Sequence, residues 1–135
     1  MAGYSGTPLL KKLGLKEGSR IAVINAPSEV PDDLRRLPKG TKGRIEFALL
    51  FLRSQAELRR DYEKVALRIV PDGMLWIAWP KKASGVATDL TEDVIRNFAL
   101  KTAFVDVKVC AIDETWSGLK LVVRKEHRAA RSHGA

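Results

Sequence analysis

Cysteine and histidine are scarce in this sequence. Cys110 is the only cysteine among 135 residues, which excludes an intramolecular disulfide and a zinc site built from several thiolates. Both histidines, His127 and His133, fall within residues 126–135. A metal site or a Ser–His–Asp triad would have to use this tail, and we therefore predict no metal site.

Long apolar runs are also missing. No stretch reaches the roughly 18 apolar residues of a membrane span, and residues 1–14 lack the apolar core of a secretory signal. We therefore expect a cytoplasmic protein with no membrane partner. The composition, 45% apolar and 30% charged, is typical of a folded chain. The length predicts a single domain, which we assign to 1–125, followed by a basic, flexible tail over 126–135.

Apolar runs of strand length alternate with amphipathic helical patterns. The runs 21–24 and 74–79 are apolar on both faces, as in strands buried between two layers. The run 45–52 is mostly apolar, and its length fits a strand or a helix; we favour a strand because a helix start follows at once. The spacing of polar and apolar residues predicts helices that begin after Ser54 and Thr91, where hydroxyl side chains suit the cap position.

The remaining patterns predict a turn and a hairpin. Pro71-Asp72-Gly73 is a turn signal. Alternation along 105–111 predicts a half-buried strand with Val105, Val107, Val109 and Ala111 inward and Cys110 on the polar side, where an inert thiol is expected. Residues 119–124 complete an antiparallel hairpin. The order of elements predicts an α/β fold: a three-layer, Rossmann-like sheet with a parallel centre and a C-terminal antiparallel hairpin.

This layout resembles the second half of the Rossmann-like methyltransferase fold. That family, like dinucleotide-binding proteins, needs glycines after the first strand so that backbone approaches the ligand closely. Residues 23–27, VINAP, contain no glycine, and no G-x-x-x-x-G-K occurs in the chain. We therefore expect no standard dinucleotide or methyl-donor site, and we assign no cofactor.

Four longer strings cover much of the chain: GYSGTPLLKKLGLKEG (3–18), LWIAWPKKASG (75–85), TDLTEDVIR (88–96) and VDVKVCAIDETWSGLKLVVRK (105–125). They resemble a bacterial family of small proteins known only as a domain of unknown function. The resemblance implies a small bacterial cytoplasmic protein. It implies no activity, cofactor or catalytic residue.

The predicted strand ends carry the leading candidate site. In open α/β sheets, ligands bind beyond the carboxyl ends of the parallel strands, and helix N-termini suit anions. We predict that an anionic small molecule is held in a binding or regulatory site by Lys81, Lys82, Ser84 and Thr88. The predicted pocket wall comprises Asn25, Trp79 and Trp116. The alternative is that these lysines are simply solvated and the threonine is a helix cap.

Three other functions remain open. One is non-specific nucleic-acid binding through the basic 35–44 loop, helped by basic residues of the C-terminal segment. The loop residues are Arg35, Arg36, Lys39, Lys42 and Arg44, and the later ones are Arg124, Lys125, Arg128 and Arg131. Another is an enzyme that uses Asp113 and Glu114 as an acid–base pair, although such residues more often form a turn. The last is a homo-oligomer that associates through the edge hairpin.

Overall fold

A five-stranded mixed sheet forms the middle layer of the protein. The structure is a computed structural model that describes residues 8–37 and 42–134, with side chains from 130 onward outside the description. The strands are β1 (Ile21–Ile24), β2 (Ile45–Phe51), β3 (Ile69–Pro80), β4 (Phe104–Ala111) and β5 (Trp116–Val123). Their order across the sheet is β1-β2-β3-β5-β4. Strands β1, β2 and β3 are parallel, and β5 is antiparallel to both of its neighbours. This confirms the predicted parallel centre and terminal hairpin.

Helices cover both faces of the sheet. They are α1 (Pro8–Leu13), α2 (Asp32–Arg35), α3 (Gln55–Ala66), α4 (Glu92–Leu100) and α5 (Lys125–Gly134). Apolar residues of α1 and α2 pack on one face, and those of α3 and α4 pack on the other. The result is the predicted three-layer α/β fold. Among the residues that the structure describes, every helix is too short or too polar to span a bilayer.

Helices α3 and α4 begin at the predicted caps. The Ser54 hydroxyl accepts a hydrogen bond from the Glu57 N–H at 3.1 Å, and the Thr91 hydroxyl accepts one from the Val94 N–H at 3.1 Å. Each satisfies a backbone donor that the first helical turn leaves unpaired. Local sequence therefore predicts where both helices start.

Strand β4 corrects the predicted direction of the valines. Val107 is 52% exposed and Val109 is 41% exposed, while Cys110 packs against the core on the α1 side. Because β4 lies at the sheet edge and its pairing with β5 shifts between Asp106 and Lys108, simple alternation does not hold. The fully buried residues near this edge of the sheet belong mainly to the neighbouring strand β5.

The Pro71-Asp72-Gly73 triplet forms no turn between elements, which corrects a second prediction. It lies within β3, where the pairing with β2 shifts between Ile45 and Phe47. A Cβ atom at Gly73 would lie 3.0 Å from the Ile69 side chain and 3.1 Å from the Glu46 carbonyl oxygen. The glycine therefore permits close packing inside an irregular strand.

The C-terminal segment is helical, which the sequence analysis did not predict. Helix α5 follows β5 directly, and Arg128 Nε donates a hydrogen bond to the Val123 carbonyl oxygen at 3.0 Å. Just before it, Arg124 Nη2 donates to the Leu100 carbonyl oxygen at 2.7 Å. The flexibility of the tail and the domain limit near residue 125 stay predictions.

Candidate ligand site at the strand ends

The carboxyl ends of β1, β2 and β3 lie at one edge of the sheet. After β1, the chain turns to the α1 side, where Val30 and Leu34 are buried. After β2, it enters α3 on the opposite side. Loops that diverge in this way above adjacent parallel strands open a crevice, which is where α/β proteins bind their ligands.

A cavity of about 610 Å³ lies at the end of β3 on the α4 side, and we call it the β3-end pocket. Its lining includes Trp79, Lys81, Lys82 and Thr88 together with residues at the start of α4. The Lys81 N–H donates to the Thr115 carbonyl oxygen at 2.7 Å, which ties this loop to the β4–β5 hairpin. The structure thus brings both predicted lysines, Thr88 and one predicted wall residue to a single surface.

The two predicted hydroxyl groups stabilise the loop. Ser84 Oγ donates to the Lys81 carbonyl oxygen at 2.6 Å and does not belong to the pocket lining. Thr88 Oγ1 donates to the Arg53 carbonyl oxygen at 2.6 Å and accepts from the Leu90 N–H at 3.0 Å. Because both hydroxyl protons already have protein acceptors, the lysine ammonium groups are the remaining hydrogen-bond donors among the four predicted anion-binding side chains.

An ion-pair network centred on Arg96 lies beside the pocket. Glu92, which also lines the cavity, accepts a hydrogen bond from Arg96 Nη2. Arg96 further contacts Asp93 at 2.8 Å and Asp106 at 3.0 Å. Hydrogen bonds first to Glu92 and then to Asp106 raise the pKa of Arg96 above its ordinary value. Glu92 is thus paired with Arg96, while Lys81 and Lys82 form no ion pair among the described residues and place two positive charges in the lining.

The other two predicted wall residues lie elsewhere. Trp116 is buried on the α1 side, where it meets Phe51 edge-on at 5.0 Å and lies under the Arg53 guanidinium at 5.6 Å. Trp116 pairs with Pro80, which follows Trp79 in β3. Because successive residues of a strand point to opposite sides, Trp79 belongs to the core on the other face. Asn25 lines a separate cavity of about 470 Å³ at the end of β1.

Asn25, directly after β1, has a left-handed backbone conformation. Its φ is 61°, in the left-handed region that asparagine tolerates better than most residues. Its side chain donates to Asp61 Oδ2 at 3.0 Å. Arg60 also hydrogen-bonds Asp61, and this contact is the main reason that the pKa of Asp61 is lowered. Asparagine therefore makes the turn after β1 without glycine.

The Asp113–Glu114 pair has the geometry of a turn. Asp113 Oδ1 accepts hydrogen bonds from the Thr115 and Trp116 N–H groups at 2.9 and 2.7 Å. Glu114 is exposed beside a shallow cavity that Arg35 also lines. The hydrogen bonds of Asp113 account for its place in the loop without a catalytic role.

The basic 35–44 run is divided between the two ends of the sheet. Arg35 lines the cavity at the β1 carboxyl end, whereas Lys42 and Arg44 immediately precede the amino end of β2. The Lys42 carbonyl oxygen there accepts from Arg20 Nη2 at 2.7 Å. Lys39 and the side chain of Arg131 lie outside the described residues. Because the connection between parallel strands must cross the sheet, the described cations Arg35 and Lys42 lie at opposite ends of it, and the structure does not support a nucleic-acid interface there.

Sequence reasoning missed part of the pocket lining. Ser117 lines the β3-end pocket because it pairs with Trp79 across the antiparallel β3–β5 ladder. The start of α4 adds Thr91, which was predicted only as a helix cap, and Glu92, for which no role in a binding site was predicted. The hairpin register was the signal that could have identified Ser117. The described part of the chain brings no three metal-ligating side chains together.

Comparison with known proteins finds no match by sequence and only a distant structural likeness. No family model matches the chain, and no curated protein matches it, so the resemblance to a bacterial family gains no support there. Similar solved structures include LepI in complex with SAM and a LepI variant in complex with SAH and a substrate analogue. Each has 13% sequence identity and a TM-score of 0.47, and the alignment covers 92% of this chain and 49% of the LepI chain. The present chain thus spans about half the length of LepI.

Proposed function

We propose that this protein is a binding or regulatory protein for a small anionic molecule, which it holds in the β3-end pocket. The observation that carries the proposal is the meeting of Lys81, Lys82 and Trp79 around one cavity of about 610 Å³. That volume lies within the usual range of small-molecule sites, roughly 300–1,000 Å³. The location beyond the carboxyl end of a parallel strand is also the usual one for this fold class.

The lining favours a ligand with a negative group and a flat or apolar body. Lysine ammonium groups act as mobile point charges that suit phosphates and carboxylates. Trp79, Val86 and Leu90 offer apolar surface next to them. Glu92 is the carboxylate in the lining, and its pairing with Arg96 does not favour a role as an acid–base group. We therefore propose binding rather than catalysis.

A thermal-shift screen at low salt tests this function. The panel contains nucleotides, sugar phosphates, small carboxylates and S-adenosylmethionine, and is applied to the wild type and the Lys81→Gln, Lys82→Gln double variant. A ligand at about 100 times its dissociation constant stabilises the folded protein by roughly 2.7 kcal/mol. We expect a shift in the wild type that the double variant loses.

A Lys64→Gln, Lys101→Gln variant is the matched control. It removes the same charge from exposed positions on α3 and at the end of α4. This variant should respond like the wild type. The proposal is wrong if no member of the panel shifts the wild type, or if the Lys81→Gln, Lys82→Gln variant shifts equally.

A further inference from the structure

On the α1 side, the buried core extends to Trp116 of β5, and the partly buried Cys110 of β4 packs against it. Beside that core, the exposed Lys108 and the half-buried Lys120 lie on the same side of the sheet as α1. Lys16, in the turn after α1, adds its charge near Lys120, and Lys12 is an exposed residue of α1 whose carbonyl oxygen contacts Lys108. We call these four residues the lysine shelf.

The register of the hairpin places two of these lysines side by side. Lys108 and Lys120 are direct cross-strand partners, and Lys120 in turn pairs with Trp76, whose ring is on the α1 side. Direct partners in a sheet point to the same face, so both lysines project toward α1. Two like charges directly opposite each other destabilise a sheet.

Both ammonium groups reach the same end of α1. Lys108 Nζ donates to the Lys12 carbonyl oxygen at 3.1 Å. Lys120 Nζ lies 3.7 Å from where a Cβ atom of Gly14 would stand. The neutral carbonyl satisfies one N–H of Lys108 but leaves the formal charge of the pair unchanged.

The lysine shelf contains no ion pair among the described residues. Partial burial, followed by the charges of Lys108 and Lys16, lowers the pKa of Lys120, while the neighbouring Cys110 acts in the opposite direction. An anion bound here would relieve the repulsion that the free protein carries.

We propose that the lysine shelf binds a phosphate-class oxyanion that carries at least two negative charges. Several lysine ammonium groups that approach one small anion suit a phosphoryl group, which offers oxygen acceptors in several directions. The shelf is on the α1 side of the sheet, whereas the β3-end pocket is on the α4 side. The two sites are therefore separate, and this inference does not depend on the proposed function.

Calorimetric titration with pyrophosphate at low salt, in a phosphate-free buffer, tests the proposal. The wild type is compared with a Lys108→Gln, Lys120→Gln variant and with a Lys12→Gln, Lys16→Gln variant. The side chains of Lys12 and Lys16 are exposed and lie outside the sheet, so the second pair of substitutions leaves the sheet intact. We expect each pair of substitutions to weaken binding roughly tenfold, because two unit charges near the anion are lost. The second variant keeps the test decisive even if the first does not fold.

Two further comparisons separate the shelf from the β3-end pocket. The Lys81→Gln, Lys82→Gln variant should bind pyrophosphate at the shelf as the wild type does, and binding should raise the pKa of Lys120 measured by NMR. The proposal is overturned if the wild type binds no pyrophosphate, or if both shelf variants bind as tightly as the wild type. It is equally overturned if binding is lost only in the Lys81→Gln, Lys82→Gln variant.

Discussion

Replacement of Trp76 by phenylalanine tests how α1 is fastened to the sheet. Trp76 is fully buried in the middle of β3, and its indole Nε1 donates a hydrogen bond to the Leu13 carbonyl oxygen at 2.9 Å. Leu13 is the last residue of α1 and is itself fully buried. Trp76→Phe keeps an aromatic ring in the core but removes the donor.

The expected loss of stability has two parts. A buried carbonyl left without its donor costs roughly 1–3 kcal/mol. The smaller ring also leaves a void, whose cost we take as roughly 1–2 kcal/mol because complete truncation of a buried tryptophan costs about 3–5 kcal/mol. Together they predict a loss of roughly 2–5 kcal/mol in the free energy of unfolding, or a melting temperature lowered by roughly 10 °C.

Trp79→Phe is the matched control, measured by urea denaturation alongside the first variant. Trp79 is 6% exposed on the same strand, and its indole N–H donates no hydrogen bond to any described residue. This control should lose only the packing part, roughly 1–2 kcal/mol. If the two variants lose the same free energy of unfolding, the hydrogen bond to Leu13 contributes nothing and the reasoning fails.

Three further predictions concern packing and protonation. Gly118→Ala should cost roughly 1–3 kcal/mol in urea denaturation, because a Cβ atom there would lie 3.0 Å from the Trp76 ring; an unchanged midpoint would show that the ring yields freely. The hydrogen bond from Arg60 lowers the pKa of Asp61 in the folded protein. The stability that Asp61 contributes is therefore complete above its pKa in the unfolded chain, and it is lost as pH falls through its pKa in the folded protein. Urea midpoints from neutral pH to about pH 2 should therefore fall less steeply in Asp61→Asn than in the wild type, and parallel profiles would refute this. The pKa of Lys120 is lowered in the folded protein, so the folded protein binds fewer protons there than the unfolded chain. The stability of the wild type should therefore rise relative to that of Lys120→Met as pH increases through the alkaline range, measured in phosphate-free buffer. A stability difference that stays constant with pH would contradict this prediction.

Several parts of the fold were accessible from local pattern. Strand β1 was predicted because it is apolar on both faces, and the mostly apolar run 45–52 was predicted as a strand because a helix start follows it at once. The Ser54 and Thr91 caps were predicted because a capping side chain bonds to the backbone three residues later. Such interactions depend on short stretches of sequence.

The incorrect predictions concern segments whose conformation or burial depends on the neighbouring strands of the sheet. Pro71-Asp72-Gly73 has the composition of a turn, but β2 pairs with residues on both sides of it and holds it in an irregular strand. The valines of β4 alternate as in a half-buried strand, but β4 lies at the sheet edge, where little covers them. Neither the pairing partner nor the edge position is encoded in the few residues that form the pattern.

In the candidate site, too, local sequence predicted some of the residues and strand pairing determined the others. Lys81 and Lys82 were predicted because they follow an apolar strand and precede a helix, and both line the β3-end pocket. Trp116 was predicted for the same wall, yet it packs on the opposite face with Phe51. Ser117 was not predicted, because its approach to Trp79 depends on the β3–β5 register.

Composition and local periodicity thus identify the α/β class, the buried strands and the helix starts of this protein, because these follow from contacts within a few residues. Three-dimensional packing determines which charged side chains share a surface. It separates Arg35 from Lys42 although they are close in sequence, and it brings Lys12 to Lys108 although they are far apart. The physical reason is that strand order and register, which depend on the whole core, set the distances between segments.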